Sequence, residues 1–188
     1  QGLADHGPRD SGCSVAGPLS GKRVEFEDQG VRRGVGAQMP VEGGDVQRVG
    51  ENAGIISRGA HAAADGRVFW WGPNGFCMWD GAAVQPMSCD VYDATIGDLN
   101  FTQRSKISAF TVSEFGEVWW CFPSSASTEN DMAVVFNYKE GHWALHEIGR
   151  LSGFDRGIYN YPMAVSSDGY VYEHEKGATW DSTPYAES

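Results

Sequence analysis

Residues 62–81 read AAADGRVFWWGPNGFCMWDG and contain two short runs of apolar and aromatic residues, VFWW and FCMW. A Gly-Pro-Asn-Gly turn joins the two runs, and Asp-Gly pairs (Asp65-Gly66 and Asp80-Gly81) lie on their outer sides. Asp-Gly and Asn-Gly supply the positive φ angles that tight hairpins need. Runs of this length, rich in Val, Phe and Trp and bounded by such turns, predict antiparallel strands.

The same unit recurs later in the chain. A small or apolar strand leads to a turn that ends in glycine, and a valine followed by an aromatic residue comes next, in residues 60–70, 108–120 and 163–172. The turn glycines Gly66, Gly116 and Gly169 lie 50 and 53 residues apart. A second strand–turn–strand pattern follows the first two copies, at residues 76–86 and 133–145.

This repeat predicts an all-β fold of four-stranded antiparallel meanders. Four strands in a period of roughly 40–50 residues are typical of a β-propeller, which usually has about four to eight such units. Only two full units and parts of one or two others fit in 188 residues. We therefore expect a partial propeller, or one that is closed by sequence outside this chain.

The sequence predicts two regions. Residues 1–47 are dominated by glycine and charged residues, with one clear alternating piece around Val24 and Phe26, and they predict an extended arm with one or two irregular strands. Residues 48–188 predict the propeller-like domain, with a short helical turn near residues 91–96 and nothing else helical. Because the chain starts at Gln1 and stops soon after Trp180, we expect a processed product or part of a longer chain.

Composition excludes several classes of protein. The chain has 41% hydrophobic residues, 12% aromatic residues and 25 glycines, which favours a compact all-β protein over a disordered one. A net charge of −11 argues against a protein that grips nucleic acid through its phosphates, and it suits a surface that DNA slides past. No apolar run approaches the length of a membrane span, and no secretory signal peptide is visible.

Several groups of metal-ligating residue types are present, and each has a simpler explanation. The four cysteines, which form no C-x-x-C pair, are Cys13, Cys77, Cys89 and Cys121. Their spacing predicts free thiols that are packed as small apolar side chains. On a strand, Glu173 and Glu175 would share one face and His174 would take the other, so the three cannot meet at one metal. His142 and His146 would share a strand face about 13 Å apart, which predicts solvent-facing side chains on the face opposite Trp143.

Two loops carry acidic residues. Asp90, Asp93 and Asp98 could offer oxygen ligands to calcium, but their spacing does not match the twelve-residue calcium loop, and a solvated loop is favoured. Residues 166–169, SSDG, resemble an Asp-box turn poorly and more simply supply a hairpin turn. The G-x-S-x-G, H-E-x-x-H, P-loop and G-x-G-x-x-G motifs do not occur. We therefore assign no catalytic, cofactor-binding or metal-ligating residue, and expect no cofactor.

Two adjacent tryptophan pairs, Trp70-Trp71 and Trp119-Trp120, could form a platform for sugars. Neighbouring residues of a strand point to opposite faces, however. We therefore expect one tryptophan of each pair in the core and the other at a contact between sheets.

Taken in order and spacing, several stretches resemble structural proteins of tailed bacteriophages, of the tail-nozzle or packaged-DNA-stabilisation (head–tail connector) type. These stretches are residues 48–56, 68–76, 79–81, 113–120, 129–131, 136–138 and 169–177. Residues 1–46 do not clearly match the family pattern. The carboxyl-terminal continuation expected of the family is missing. The resemblance implies a propeller domain in a ring-forming virion protein, often a hexamer, near the head–tail or tail-tip axis, without enzymatic activity.

The sequence thus favours a structural subunit of a phage tail or connector ring, made in the bacterial cytoplasm. Its partners would be further copies of itself and other tail or connector proteins. DNA would pass through the lumen without sequence-specific binding. One alternative is a receptor- or carbohydrate-binding propeller of a tail fibre or baseplate. Another is a propeller glycosidase, which would need two carboxylates about 5–9.5 Å apart.

Overall fold

A computed structural model describes residues 53–176 in full and the backbone of six further strands, at residues 13–15, 22–27, 30–35, 45–51, 179–180 and 183–184. The chain forms two compact units, Gln1–Gly54 and Ile55–Ser188.

The amino-terminal unit contains one antiparallel sheet of four strands in chain order. The strands are β1 (Cys13–Val15), β2 (Lys22–Glu27), β3 (Gly30–Val35) and β4 (Asp45–Glu51). More of this stretch is paired than the one or two irregular strands that the sequence predicted, because ladder bonds join backbone groups and need no apolar side chain. The residues between these strands lie outside the described part, so the extent of an arm over residues 1–47 stays a prediction.

The second unit begins with sheet 1, in which four antiparallel strands again follow chain order. They are β5 (His61–Ala64), β6 (Arg67–Gly72), β7 (Gly75–Trp79) and β8 (Val84–Met87). Asp65 and Gly66 join β5 to β6 with φ angles of 49° and 76°, as the predicted Asp-Gly hairpin turn requires. The predicted hairpins of residues 62–81 are confirmed.

Two short helices connect sheet 1 to sheet 2. The predicted helical turn is confirmed as α1 (Tyr92–Asp98). A 3₁₀-helix at Phe101–Lys106 was not predicted, because its polar sequence has no apolar periodicity. Asn100 starts this helix by accepting a hydrogen bond from the backbone N–H of Thr102 at 3.2 Å. Among the described residues, no helix has the length and apolar character needed to cross a lipid bilayer.

Sheet 2 repeats the order of sheet 1, and sheet 3 has three strands. Sheet 2 consists of β9 (Ser108–Val112), β10 (Glu117–Phe122), β11 (Met132–Asn137) and β12 (His142–Glu147). Sheet 3 consists of β13 (Ser152–Phe154), β14 (Met163–Val165) and β15 (Val171–Glu173). A hairpin of β16 (Thr179–Trp180) and β17 (Thr183–Pro184) follows.

The third copy of the sequence repeat is displaced by one strand. In the predicted repeat, the first strand of the third copy was residues 163–165, which form β14. In the structure the first strand of sheet 3 is β13, and it is β13 that contacts β9, the first strand of sheet 2. The sequence missed β13 because it has only three residues, SGF, and is separated from β14 by the eight residues 155–162. The three predicted turn glycines do all adopt positive φ angles, 76° at Gly66 and Gly116 and 88° at Gly169. The all-β class is confirmed, with antiparallel sheets of three or four strands.

Candidate functional site: the contacts between the sheets

Aromatic side chains fill the space between sheets 1 and 2. Trp71 of β6 lies edge-on to Phe122 of β10, with ring centroids 5.6 Å apart. Phe76 of β7 packs on Trp120 of β10 at 4.9 Å. All four side chains are at most 1% exposed. Burial of this much aromatic surface makes the contact a rigid part of the fold rather than an open cleft.

The first strand of sheet 2 also bonds to β5 and to Gly59, which lies just before β5. The N–H of Ala109 donates to the carbonyl of Gly59 at 2.7 Å, and the hydroxyl of Thr111 donates to the carbonyl of Ala63 at 3.1 Å. A Cβ on Gly59 would lie 2.6 Å from the carbonyl oxygen of Ile107, so the approach requires glycine. β5 and β9 therefore lie side by side.

Sheet 2 uses its other face to contact sheet 3. Residues of β9, β10 and β11 form this face with Ala164 of β14: Phe110, Val112, Trp119, Cys121, Ala133 and Val135. A Cβ on Gly153 of β13 would lie 2.6 Å from the ring of Phe110, which shows how closely the two sheets approach. Trp119 and Trp120 thus point to opposite faces of β10, as predicted.

A polar cluster reinforces the contact between sheets 2 and 3. Arg150, which is 3% exposed, donates from Nε to Nε2 of His174 at 2.8 Å. The guanidinium also lies 4.6 Å above the ring of Tyr172, whose hydroxyl donates to Asp168 at 2.6 Å. The ring of His174 stands edge-on to Trp119, with centroids 5.9 Å apart.

Because Nε2 of His174 accepts a hydrogen bond, the imidazole is neutral and carries its proton on Nδ1. Burial, and then the charge of Arg150, lowers the pKa of His174 to about 4. His174 therefore stays uncharged at neutral pH, and the nitrogen that could accept a proton already accepts the hydrogen bond from Arg150. It is a structural link rather than a general base.

A second group lies at the border of the same contact. His146 of β12 stacks on Trp119 at 5.4 Å, and the indole N–H of Trp119 donates to Glu117 at 2.9 Å. Burial, and then the charges of Glu117 and Glu114, raises the pKa of Glu175. Glu175 therefore takes up a proton at a higher pH than an ordinary glutamate, which reduces its repulsion with Glu117 and Glu114.

The structure separates the members of the Glu173-His174-Glu175 run. The prediction that Glu173 and Glu175 share a strand face is wrong, because β15 ends at Glu173 and Glu175 has a φ of 59°. Glu173 pairs instead with Lys176. His142 and His146 are both exposed on β12, as predicted.

The other candidate ligands are engaged in local contacts or remain apart. Asp98 accepts a hydrogen bond from the hydroxyl of Ser125 at 2.7 Å. Across residues 53–176, no three His, Cys, Asp or Glu side chains have the arrangement of a metal site. Cys77, Cys89 and Cys121 are free thiols, as predicted, whereas the side chain of Cys13 lies outside the described part.

The tryptophan pairs do not form an exposed platform. Trp70, Trp71 and Trp120 are 0% exposed and Trp119 is 7% exposed. Their large apolar surfaces are used within the protein. Sugar binding through these two pairs would require the sheets to separate.

One sheet face in the described part remains open. Strand register places six residues on the side of sheet 3 that faces away from sheet 2: Ser152, Phe154, Met163, Val165, Val171 and Glu173. We call this set the outer face of sheet 3. Val171 is 59% exposed and Phe154 is 45% exposed, and Phe154 contacts Tyr159 of the neighbouring loop at 5.9 Å.

Sequence reasoning missed Arg150, which links the two sheets. It lies between β12 and β13, in a stretch with no motif, and His174 comes 24 positions later in the chain. Comparison with models of known protein families gave no match, and comparison with curated proteins gave no significant match.

Proposed function

We propose that this protein is a structural virion subunit, part of a phage tail or connector ring around the path by which DNA leaves the particle. In this proposal its work is done by protein–protein contacts, with no catalysis and no cofactor. The observation that carries the proposal is the open outer face of sheet 3, because the corresponding face of sheet 2 is covered by sheet 3 itself.

The arrangement of the sheets supports a propeller-like architecture. In a propeller, four-stranded meanders stack face to face around an axis, with their first strands innermost. Here β9 lies between β5 and β13, which are the first strands of the neighbouring sheets. Sheets 1 to 3 alone are fewer than the roughly four blades that the smallest propellers contain, so a closed ring of blades would need sheets besides these three.

Electrostatics favours a role beside DNA rather than on it. Binding to duplex DNA depends on lysine and arginine that neutralise phosphates. The chain carries 25 acidic residues against 14 Lys and Arg. An acidic lumen would repel the phosphates and lower the friction on moving DNA. The resemblance to tail-nozzle and connector proteins gives the same position along the particle axis.

The proposal is tested by size-exclusion chromatography with light scattering, followed by negative-stain microscopy of the eluted species. We expect a defined oligomer that persists at micromolar concentration and forms rings. A protein that stays monomeric from micromolar to sub-millimolar concentration contradicts the proposal. In virions that contain this chain, a reconstruction should place it around the DNA exit path.

A further inference from the structure

We infer that the outer face of sheet 3 is the surface through which one copy of this protein binds a second copy. This inference rests on the proposed ring-forming function and names the contact that such a ring would use. It is argued from the composition of the face, its area and its charge.

The composition is apolar and the face continues into the adjoining loop. Val165 and Val171 are direct cross-strand partners, and so are Phe154 and Met163. Next to Tyr159, which contacts Phe154, Ile158 is 94% exposed. Exposed apolar residues grouped on a sheet and beside it are the kind of surface that another sheet or chain covers.

The exposed area is sufficient for a specific contact. The surface offers roughly 500 Å², within the range of the largest apolar patches on soluble monomers, from the exposed parts of four residues: Phe154, Ile158, Tyr159 and Val171. A partner buries a comparable area on its own side. The contact would therefore bury on the order of 1,000 Å² in total, the lower limit for a stable biological interface.

Charge explains why a second copy can bind at this place. Two copies that each carry a net charge of −11 repel each other over most of their surfaces. On the outer face of sheet 3 the only acidic residue is Glu173, and its carboxylate pairs with Lys176. The adjoining loop, residues 155–162, adds one charge of each sign, at Asp155 and Arg156. The face is thus locally neutral, and apolar contact is not opposed by unpaired charge.

Two lysine substitutions test the inference without touching the core. Ile158→Lys and Val171→Lys change exposed residues of this surface. Phe101→Lys is the matched control, because Phe101 is 51% exposed on the 3₁₀-helix, outside sheet 3. Sedimentation velocity should give an oligomer dissociation constant at least about tenfold higher for the two face variants, and unchanged for the control. Circular dichroism checks that all variants remain folded.

Hydrogen exchange of the unmodified protein gives a second measurement. Backbone amides of β13, β15 and residues 155–162 should be better protected at high protein concentration than at low concentration. If the unmodified protein oligomerises but the face variants do so equally well, or protection appears only elsewhere, the inference is wrong, whereas the oligomer itself is still what the proposed function expects. If the unmodified protein is monomeric at every concentration, the proposed function fails as well.

Discussion

The link between Arg150 and His174 predicts that the stability of the second unit depends on pH. The perturbation is acidification from pH 7 to pH 4, compared between the unmodified protein and His174→Gln. The glutamine carbonyl can accept the hydrogen bond from Nε of Arg150, but it cannot take up a proton. When His174 is protonated, two N–H donors and two positive charges face each other over 2.8 Å, so the hydrogen bond is lost.

The magnitude follows from the shift. In the unfolded chain the pKa of His174 is near 6.5, and in the folded protein burial and then Arg150 lower it to about 4. Above pH 6.5 His174 is neutral in both states, and the contribution of the neutral histidine to stability is fully present. Between pH 6.5 and 4 the unfolded chain binds a proton that the folded protein does not, so the folded protein loses stability as the pH falls. At 1.36 kcal/mol per pH unit, the loss is about 3 kcal/mol.

Urea denaturation followed by tryptophan fluorescence measures the free energy of unfolding at several pH values between 7 and 4. We expect the unmodified protein to lose about 3 kcal/mol more than His174→Gln over this range, because other titrating groups contribute equally to both. His142→Gln is the matched control, since His142 is exposed on β12, and it should follow the unmodified protein.

A direct measurement completes the test. The imidazole carbon protons of His174, followed by NMR, should titrate well below pH 6. Titration of this residue near 6.5, or identical pH dependence of the unmodified protein and His174→Gln, would refute the assignment of His174 as a neutral acceptor for Arg150.

Three further predictions concern the packing between sheets. Gly153→Ala should destabilise the second unit by about 1–3 kcal/mol in urea denaturation, because the added Cβ would lie 2.6 Å from the ring of Phe110; an unchanged midpoint would show that the sheets can move apart. Trp120→Ala should cost about 3–5 kcal/mol, because the fully buried indole also donates to the carbonyl of Ala60 at 3.1 Å; a loss below about 1 kcal/mol would contradict this packing. Iodoacetamide at pH 8 should leave Cys121 unmodified in the folded protein and alkylate it in urea, because burial raises the pKa of its thiol to about 12; rapid labelling of the folded protein, located by peptide mass spectrometry, would contradict this.

The hairpins could be predicted because their signals are local. Asp65-Gly66 fixes a two-residue turn by its own backbone preferences, and the Val-aromatic run after it has the composition of a buried strand. The opposite faces of Trp119 and Trp120 follow from the two-residue period of a strand. These features need no information from distant parts of the chain.

The contacts between sheets could not be predicted in the same way. The bond between Arg150 and His174 joins a connecting segment to the residue after β15, and no local pattern relates them. The strand rule also failed at Glu175, because a strand of three residues gave no sign of where it would end. β13 was missed because it has only three residues, and its partners, β14 across an eight-residue loop and β9 in sheet 2, are brought to it only by the folded structure.

Sheets 1, 2 and 3 are each built from strands that follow one another directly in the chain. Every hydrogen-bonded neighbour within these sheets is therefore available as soon as a few dozen residues have been synthesised, so the closure entropy for each sheet is small. During translation, sheet 1 would be complete before sheet 2, and sheet 2 before sheet 3. Each completed sheet would present an apolar face against which the next sheet can pack. The nascent polypeptide would thus always expose its newest face at the growing end.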